Sequence, residues 1–134
     1  MLADIRRAAK PVALVYGRED PWIVPYWGQR AKRRLGGLGT YFELRGAGHC
    51  PHHEAPAAVN AILRAWVDVV EVEGATAEAA SQLSLDARLL GLEGEYPEAR
   101  TGAAVRVELV DGKPRSLWER FLYLLDGMRG GEED

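Results

Sequence analysis

Pro11-Val12-Ala13-Leu14-Val15-Tyr16-Gly17-Arg18-Glu19-Asp20-Pro21-Trp22 is the stretch on which the fold turns. Every position from Val12 to Tyr16 is apolar or aromatic. Continuous rather than alternating hydrophobicity predicts a strand buried on both faces, as in a parallel sheet under helices. Gly17 closes that strand, and Asp20-Pro21 is turn chemistry just beyond it. On the other side, Pro11 ends a helical segment over Leu2 to Ala9, because it disfavours a helical residue before it.

Downstream, Ile23 to Leu35 carries Trp27, Ala31 and Leu35 at helical spacing, with Gln29, Arg30, Lys32, Arg33 and Arg34 on the other side. Its basic end is where a helix dipole favours cations, and Gly36-Gly37 ends it. Thr40-Tyr41-Phe42-Glu43-Leu44 reads as a second strand, rich in β-branched and aromatic residues. Gly46 to Pro51 is a loop. Pro56 opens a helix whose apolar stripe is Val59, Ile62, Leu63, Trp66 and Val70. Strand, helix, strand and helix over residues 11–70 predict an α/β unit with a parallel sheet.

The tail reads differently. Leu85 to Leu92 and Ala104 to Val110 look extended, the latter alternating Val105, Val107 and Leu109 with Arg106 and Glu108. Asp111-Gly112 is a turn signal. Leu117, Trp118, Phe121, Leu122, Leu124 and Leu125 predict a final amphipathic helix, capped near Ser116 with Glu119 three residues on. Gly130 to Asp134 should fray. Ala75 to Ala80 is a good helix former and suits a short helix or helical linker. Charge divides the chain similarly: residues 1–66 carry a net +5 and residues 67–134 a net -8. The expected organisation is an α/β portion over 1–72, a linker or short helix over 73–84, and a small β-hairpin and helix extension over 85–134.

Composition removes several function classes. Hydrophobic residues are 47% and charged residues 28% of 134, which is ordinary for a globular chain and unlike a disordered or fibrous one. A net charge of -3 gives no sign of a nucleic-acid partner. No apolar run reaches the roughly 18–20 residues of a membrane span. The single cysteine, Cys50, excludes an internal disulfide and a cysteine-rich zinc site. The first residues, Met1 to Arg7, show neither the apolar core of a secretory signal nor the serine-rich make-up of a transit peptide.

Two segments carry chemistry. Tyr16 to Trp22 follows the first strand, and Gly46-Ala47-Gly48-His49-Cys50-Pro51-His52-His53-Glu54 follows the second. In a parallel sheet the strand C-termini share one edge, so a carboxylate after one strand and a histidine after the next are expected to meet there. That is the geometry of an Asp–His pair in which the acid holds one ring nitrogen and the other acts as base. Asp20 alone would read as a turn residue, Glu19 as solvated surface and His49 as a loop histidine. Trp22 is the best candidate for a pocket neighbour, since it follows the acid. Trp66 reads as core. Cys50 is the second pocket candidate but reads more simply as a small buried thiol, because adjacent residues on an extended loop point apart and do not make a Cys–His nucleophile. His52, His53 and Glu54 are ligand types, but Pro51 breaks the segment and the spacing is not that of a helical zinc site, so no metal and no cofactor is expected.

Val12 to Gly17 with Asp20-Pro21-Trp22, then Gly48-His49-Cys50-Pro51-His52-His53-Glu54-Ala55-Pro56 with Val59-Asn60 and Trp66, resembles the C-terminal part of an α/β hydrolase. More narrowly it is similar to the pheophytinase-like branch of plants, algae and cyanobacteria. The branch carries Gly-His-Cys-Pro-His-Asp-Glu-x-Pro, and this chain departs from it at His53. The resemblance covers about residues 11–66. It implies that Asp20 is the triad acid and His49 the triad base of an esterase, the parent reaction being removal of the phytol ester from pheophytin in the chloroplast.

The mechanism needs a serine on a strand-to-helix elbow, usually Gly-x-Ser-x-Gly. The three serines, Ser81, Ser84 and Ser116, lack that setting and all follow His49. The expectation is therefore a truncated hydrolase, inactive by itself for want of a nucleophile, and marginally stable with exposed apolar surface. Its partners would be a small-molecule ester in the full-length parent, and a second copy or an N-terminal half against its uncovered edge. Two other readings stand beside it: a noncatalytic binding module derived from a hydrolase, and a piece of a haloalkane or epoxide hydrolase.

Overall fold

A computed structural model describes residues 2–72, 91–92, 94–110 and 117–129. The elements run α1 (Leu2–Ala8), β1 (Val12–Gly17), α2 (Pro25–Leu35), a single 3-10 turn (Gly36–Leu38), β2 (Gly39–Arg45), α3 (Pro51–Glu54), α4 (Pro56–Val72), β3 (Glu95–Pro97), β4 (Ala104–Leu109) and α5 (Leu117–Arg129). Among the described residues four strands form one sheet in the order β1-β2-β4-β3. β1 and β2 are parallel, with Val12 opposite Gly39 and Gly17 opposite Leu44. The sheet as a whole is mixed, because β4 adds to β2 antiparallel and β3 to β4 antiparallel.

The continuous apolar run of β2 has the expected cause, whereas β1, expected to be buried on both faces, is half-buried from Val12 to Tyr16, because among the described residues β2 is its one neighbour in the sheet. β2 is buried from Gly39 to Leu44 because both of its faces are covered. Phe42 and Leu44 face α4, in a core shared with Ala58, Ile62, Val105 and Val107. Tyr41 points to the opposite face, where its ring packs on Gly28 of α2 and its hydroxyl donates to the Pro25 carbonyl at 3.4 Å. A Cβ at position 28 would stand 2.5 Å from that ring, so a glycine there lets α2 settle on the sheet. β4 obeys period two: Val105 and Val107 enter the core, while Arg106 and Glu108 stay on the α2 side. There Glu108 meets Arg45 at 3.2 Å and Arg18 at 3.5 Å.

Several helical expectations need correcting. α2 begins at Pro25, not Ile23, because Ile23 is held in the turn that follows β1. Its buried residues are Tyr26, Gly28, Gln29 and Leu35, whereas Trp27 is half exposed with Arg30 over its ring at 5.6 Å. On α4 the buried face is Ala58, Val59, Ile62 and Ala65; Leu63 is 46% exposed. Small alanines let the helix sit close to the sheet, which turns the bulkier Leu63 outward. Trp66 is partly buried against the core, and the Val70 side chain lies outside the described residues.

In the tail, Glu95–Pro97 pairs with β4, and of the stretch Leu85 to Leu92 only Gly91 and Leu92 are described. Leu92 is buried in the core but belongs to no strand, so its hydrophobicity reported burial and not pairing. α5 forms where the amphipathic pattern placed it, yet Leu117, Trp118, Phe121, Leu124 and Leu125 are exposed. Its backbone is tied to α2 by the Tyr26 hydroxyl, which donates to the Leu122 carbonyl at 3.1 Å. The readings at 73–90, Asp111-Gly112, Ser116 and 130–134 lie outside the described residues.

Candidate active site

The parallel register sets the site. Tyr16 pairs with Glu43 and Gly17 with Leu44, so β1 and β2 end together and their loops leave from one edge. The main chain laces the two loops: the Arg18 N–H donates to the Leu44 carbonyl and the Glu19 N–H to the Ala47 carbonyl, each at 3.0 Å. The Glu19 carboxylate accepts the Gly46 N–H at 2.7 Å. Glu19 was read as solvated surface; it is exposed, but it also fastens the start of the histidine loop.

Asp20 is nearly buried, at 8% exposure. Its two oxygens have different work. Oδ1 accepts the N–H groups of Trp22 at 2.8 Å and Ile23 at 2.9 Å, the bonds of a local turn. Oδ2 faces His49 Nδ1 at 2.8 Å. Burial by itself raises the carboxyl pKa. The Ile23 N–H, the His49 ring, the Trp22 N–H and the charge on His49 together outweigh it and hold the carboxyl below its ordinary value. An ionised Asp20 accepts from Nδ1–H, which fixes the tautomer and leaves the Nε2 lone pair of His49 available as a base.

Trp22 meets His49 edge-on, with ring centroids 4.7 Å apart and planes at 77°. It is 73% exposed, so it flanks the imidazole from the solvent side. Trp22, His49 and Cys50 line a cleft of about 880 Å³. The opposite wall is the β3–β4 turn, through Glu98, Arg100, Thr101 and Ala103. That turn is built on the Glu98 carboxylate, which accepts the Thr101 hydroxyl at 2.7 Å and the N–H groups of Thr101 at 2.6 Å and Arg100 at 3.1 Å. Cys50 precedes Pro51 at the start of α3 and is half-buried.

The His52 and His53 rings lie 4.4 Å apart with their planes tilted by 50°, and the Glu54 carboxylate is turned to the backbone. Among the described residues no group of three or more His, Cys, Asp or Glu is gathered to hold a metal ion. Nor, among them, is any helix long and apolar enough to cross a membrane.

The sequence reading brought Asp20, His49, Trp22 and Cys50 to one place, and the structure has them there. It missed Glu19, Glu54 and the turn over 98–103. For Glu54 a signal existed: a proline-opened turn ending in an acid invites the carboxylate to reach back to the first amides, as in a capping box. For the turn there was none, since its place follows from how β4 docks.

The chain is 35% identical over 113 residues to Arabidopsis thaliana "Pheophytinase, chloroplastic". The match takes in 84% of this chain and 20% of the relative, so the chain spans about a fifth of that protein's length. No protein-family model matches the chain, and no solved structure matches it. This similarity agrees with the resemblance read over about residues 11–66.

Proposed function

We propose that this chain, a relative of the pheophytinase-like α/β hydrolases, supplies the acid and base of a serine-type ester hydrolase. The observation that carries the reading is the 2.8 Å contact between His49 Nδ1 and Asp20 Oδ2 at the shared end of two parallel strands. His49 Nε2 takes the proton of an attacking serine hydroxyl, and the Asp20 carboxylate stabilises the imidazolium that forms. The same nitrogen then returns the proton to the leaving alkoxide. The substrate class is a carboxylic ester, with the phytyl ester of pheophytin as the leading candidate and the chloroplast as the site of action. Support for both comes from the relative's name.

The serine itself comes from another segment. The 134 residues contain no Gly-x-Ser-x-Gly, so the chain by itself is inactive. Among the described residues β1 stands at the end of the sheet order, and the side away from β2 is where a preceding parallel strand would add. This reading is tested by grafting. Residues of this chain replace the matching stretch of the Arabidopsis relative, and the soluble chimera is assayed with pheophytin. Phytol release that is lost in His49→Ala supports the proposal. A folded chimera without activity, or one indifferent to His49→Ala, overturns it.

A further inference from the structure

The geometry points to Glu54 as a positioning residue for His49. Its Oε2 accepts the Gly48 N–H at 2.6 Å, and its Oε1 accepts the Cys50 N–H at 2.9 Å. These are the amides immediately before and after His49. One carboxylate therefore grips the peptide that follows His49, through the Cys50 N–H, and the chain one peptide upstream of it, through the Gly48 N–H. Bonds from backbone N–H to an ionised carboxylate are charge-assisted and about twice as strong as neutral ones. Two converging N–H groups also form the kind of concavity that binds anions, and here the anion belongs to the chain itself.

The surroundings make the clamp rigid. The His53 and Glu54 N–H groups both donate to the Cys50 carbonyl at 2.9 Å, which closes the single turn of α3 and sets the carboxylate beneath the loop. Gly48 permits the approach: a Cβ there would stand 3.2 and 3.4 Å from the two carboxylate oxygens. The Glu54 carbonyl in turn accepts the Ala99 N–H at 2.6 Å, so the far wall of the cleft is fastened to the residue that holds the histidine. With the backbone fixed on both sides, the His49 ring has little freedom but to meet Asp20. Asp20 sets which nitrogen carries the proton; Glu54 sets where the ring stands.

The inference rests on the proposed base role of His49 only for its kinetic consequence, and the test has two arms. The first uses the full 134-residue chain, labelled with 15N, and reads the His49 ring. Wild type should show a low-field Nδ1 proton and ring shifts of the Nδ1–H tautomer. Glu54→Ala should lose that proton signal and give a mixture of tautomers; Glu54→Gln, which keeps one acceptor oxygen, should weaken it less. Circular dichroism shows whether each variant keeps the fold, and Glu54→Gln decides if Glu54→Ala does not fold. A folded Glu54→Ala, or failing that Glu54→Gln, with a wild-type His49 ring spectrum overturns the inference. The second arm places Glu54→Gln in the chimera. There it should lower kcat by about 10- to 100-fold, the range for a misplaced catalytic group, with KM little changed; a loss confined to KM overturns the inference. An inactive parent chimera strikes at the proposed function and leaves the first arm to decide.

Discussion

Gly17 lies directly against Gly48. A Cβ on Gly17 would stand 1.9 Å from the Gly48 carbonyl oxygen and 2.5 Å from that of Ala47. Both obstacles are main chain and cannot swing aside. Gly17→Ala should therefore push the histidine loop away from the acid loop. Overpacking of this kind costs about 1–3 kcal/mol, read as a lower urea midpoint, and the His49 Nδ1 proton signal should be lost with it. A wild-type midpoint and ring spectrum would contradict the contact.

The depressed pKa of Asp20 makes a prediction about acid. An unfolded Asp titrates near its ordinary value of about 3.9. Because the folded value lies lower, the stabilisation is fully present above the unfolded pKa and is lost as pH falls through the folded one. Denaturation midpoints should fall on acidification in wild type and fall less in Asp20→Asn, which has no carboxyl to titrate. Parallel curves would show that Asp20 is not linked to folding.

The face used by α4 is tested by two neighbours. Ile62 is fully buried and Leu63 is 46% exposed. Ile62→Ala should cost about 2–5 kcal/mol, as buried aliphatic truncations do. Leu63→Ala should stay within about 0.5 kcal/mol. Comparable losses at the two positions would restore the stripe read from periodicity.

The isolated chain should release no nitrophenol from a short nitrophenyl ester beyond the buffer rate, and His49→Ala should be indistinguishable from it. A burst that depends on His49 would mean a nucleophile exists within these 134 residues.

Much of this architecture was legible because backbone rules act locally. The strand at Thr40 to Leu44 is buried on both faces and the apolar run Val12 to Tyr16 is half-buried beside it, and such strands announce themselves without alternation. Parallel pairing then forces the segments after them to one edge, which is why Asp20 and His49 could be paired across 29 residues. What was not legible depends on docking. Which face α4 buries is decided by how closely alanines let it approach, not by where the largest side chains recur. The course of the tail was hidden too: Leu92 signals burial, but only the placement of β4 beside β2 makes Glu95–Pro97 the next strand. Glu19 looks like a surface acid in sequence, since a carboxylate that serves a backbone amide has no partner side chain to reveal it.

The central claim is that Asp20 and His49 act as one unit. A double-mutant cycle in the chimera tests it most directly, with kcat measured for Asp20→Asn, His49→Ala and both together. Removing the acid should cost on the order of 10⁴-fold, as it does in serine proteases, and the double variant should be no slower than His49→Ala alone. Losses that simply multiply would mean the carboxylate and the imidazole act independently, and the account would fail.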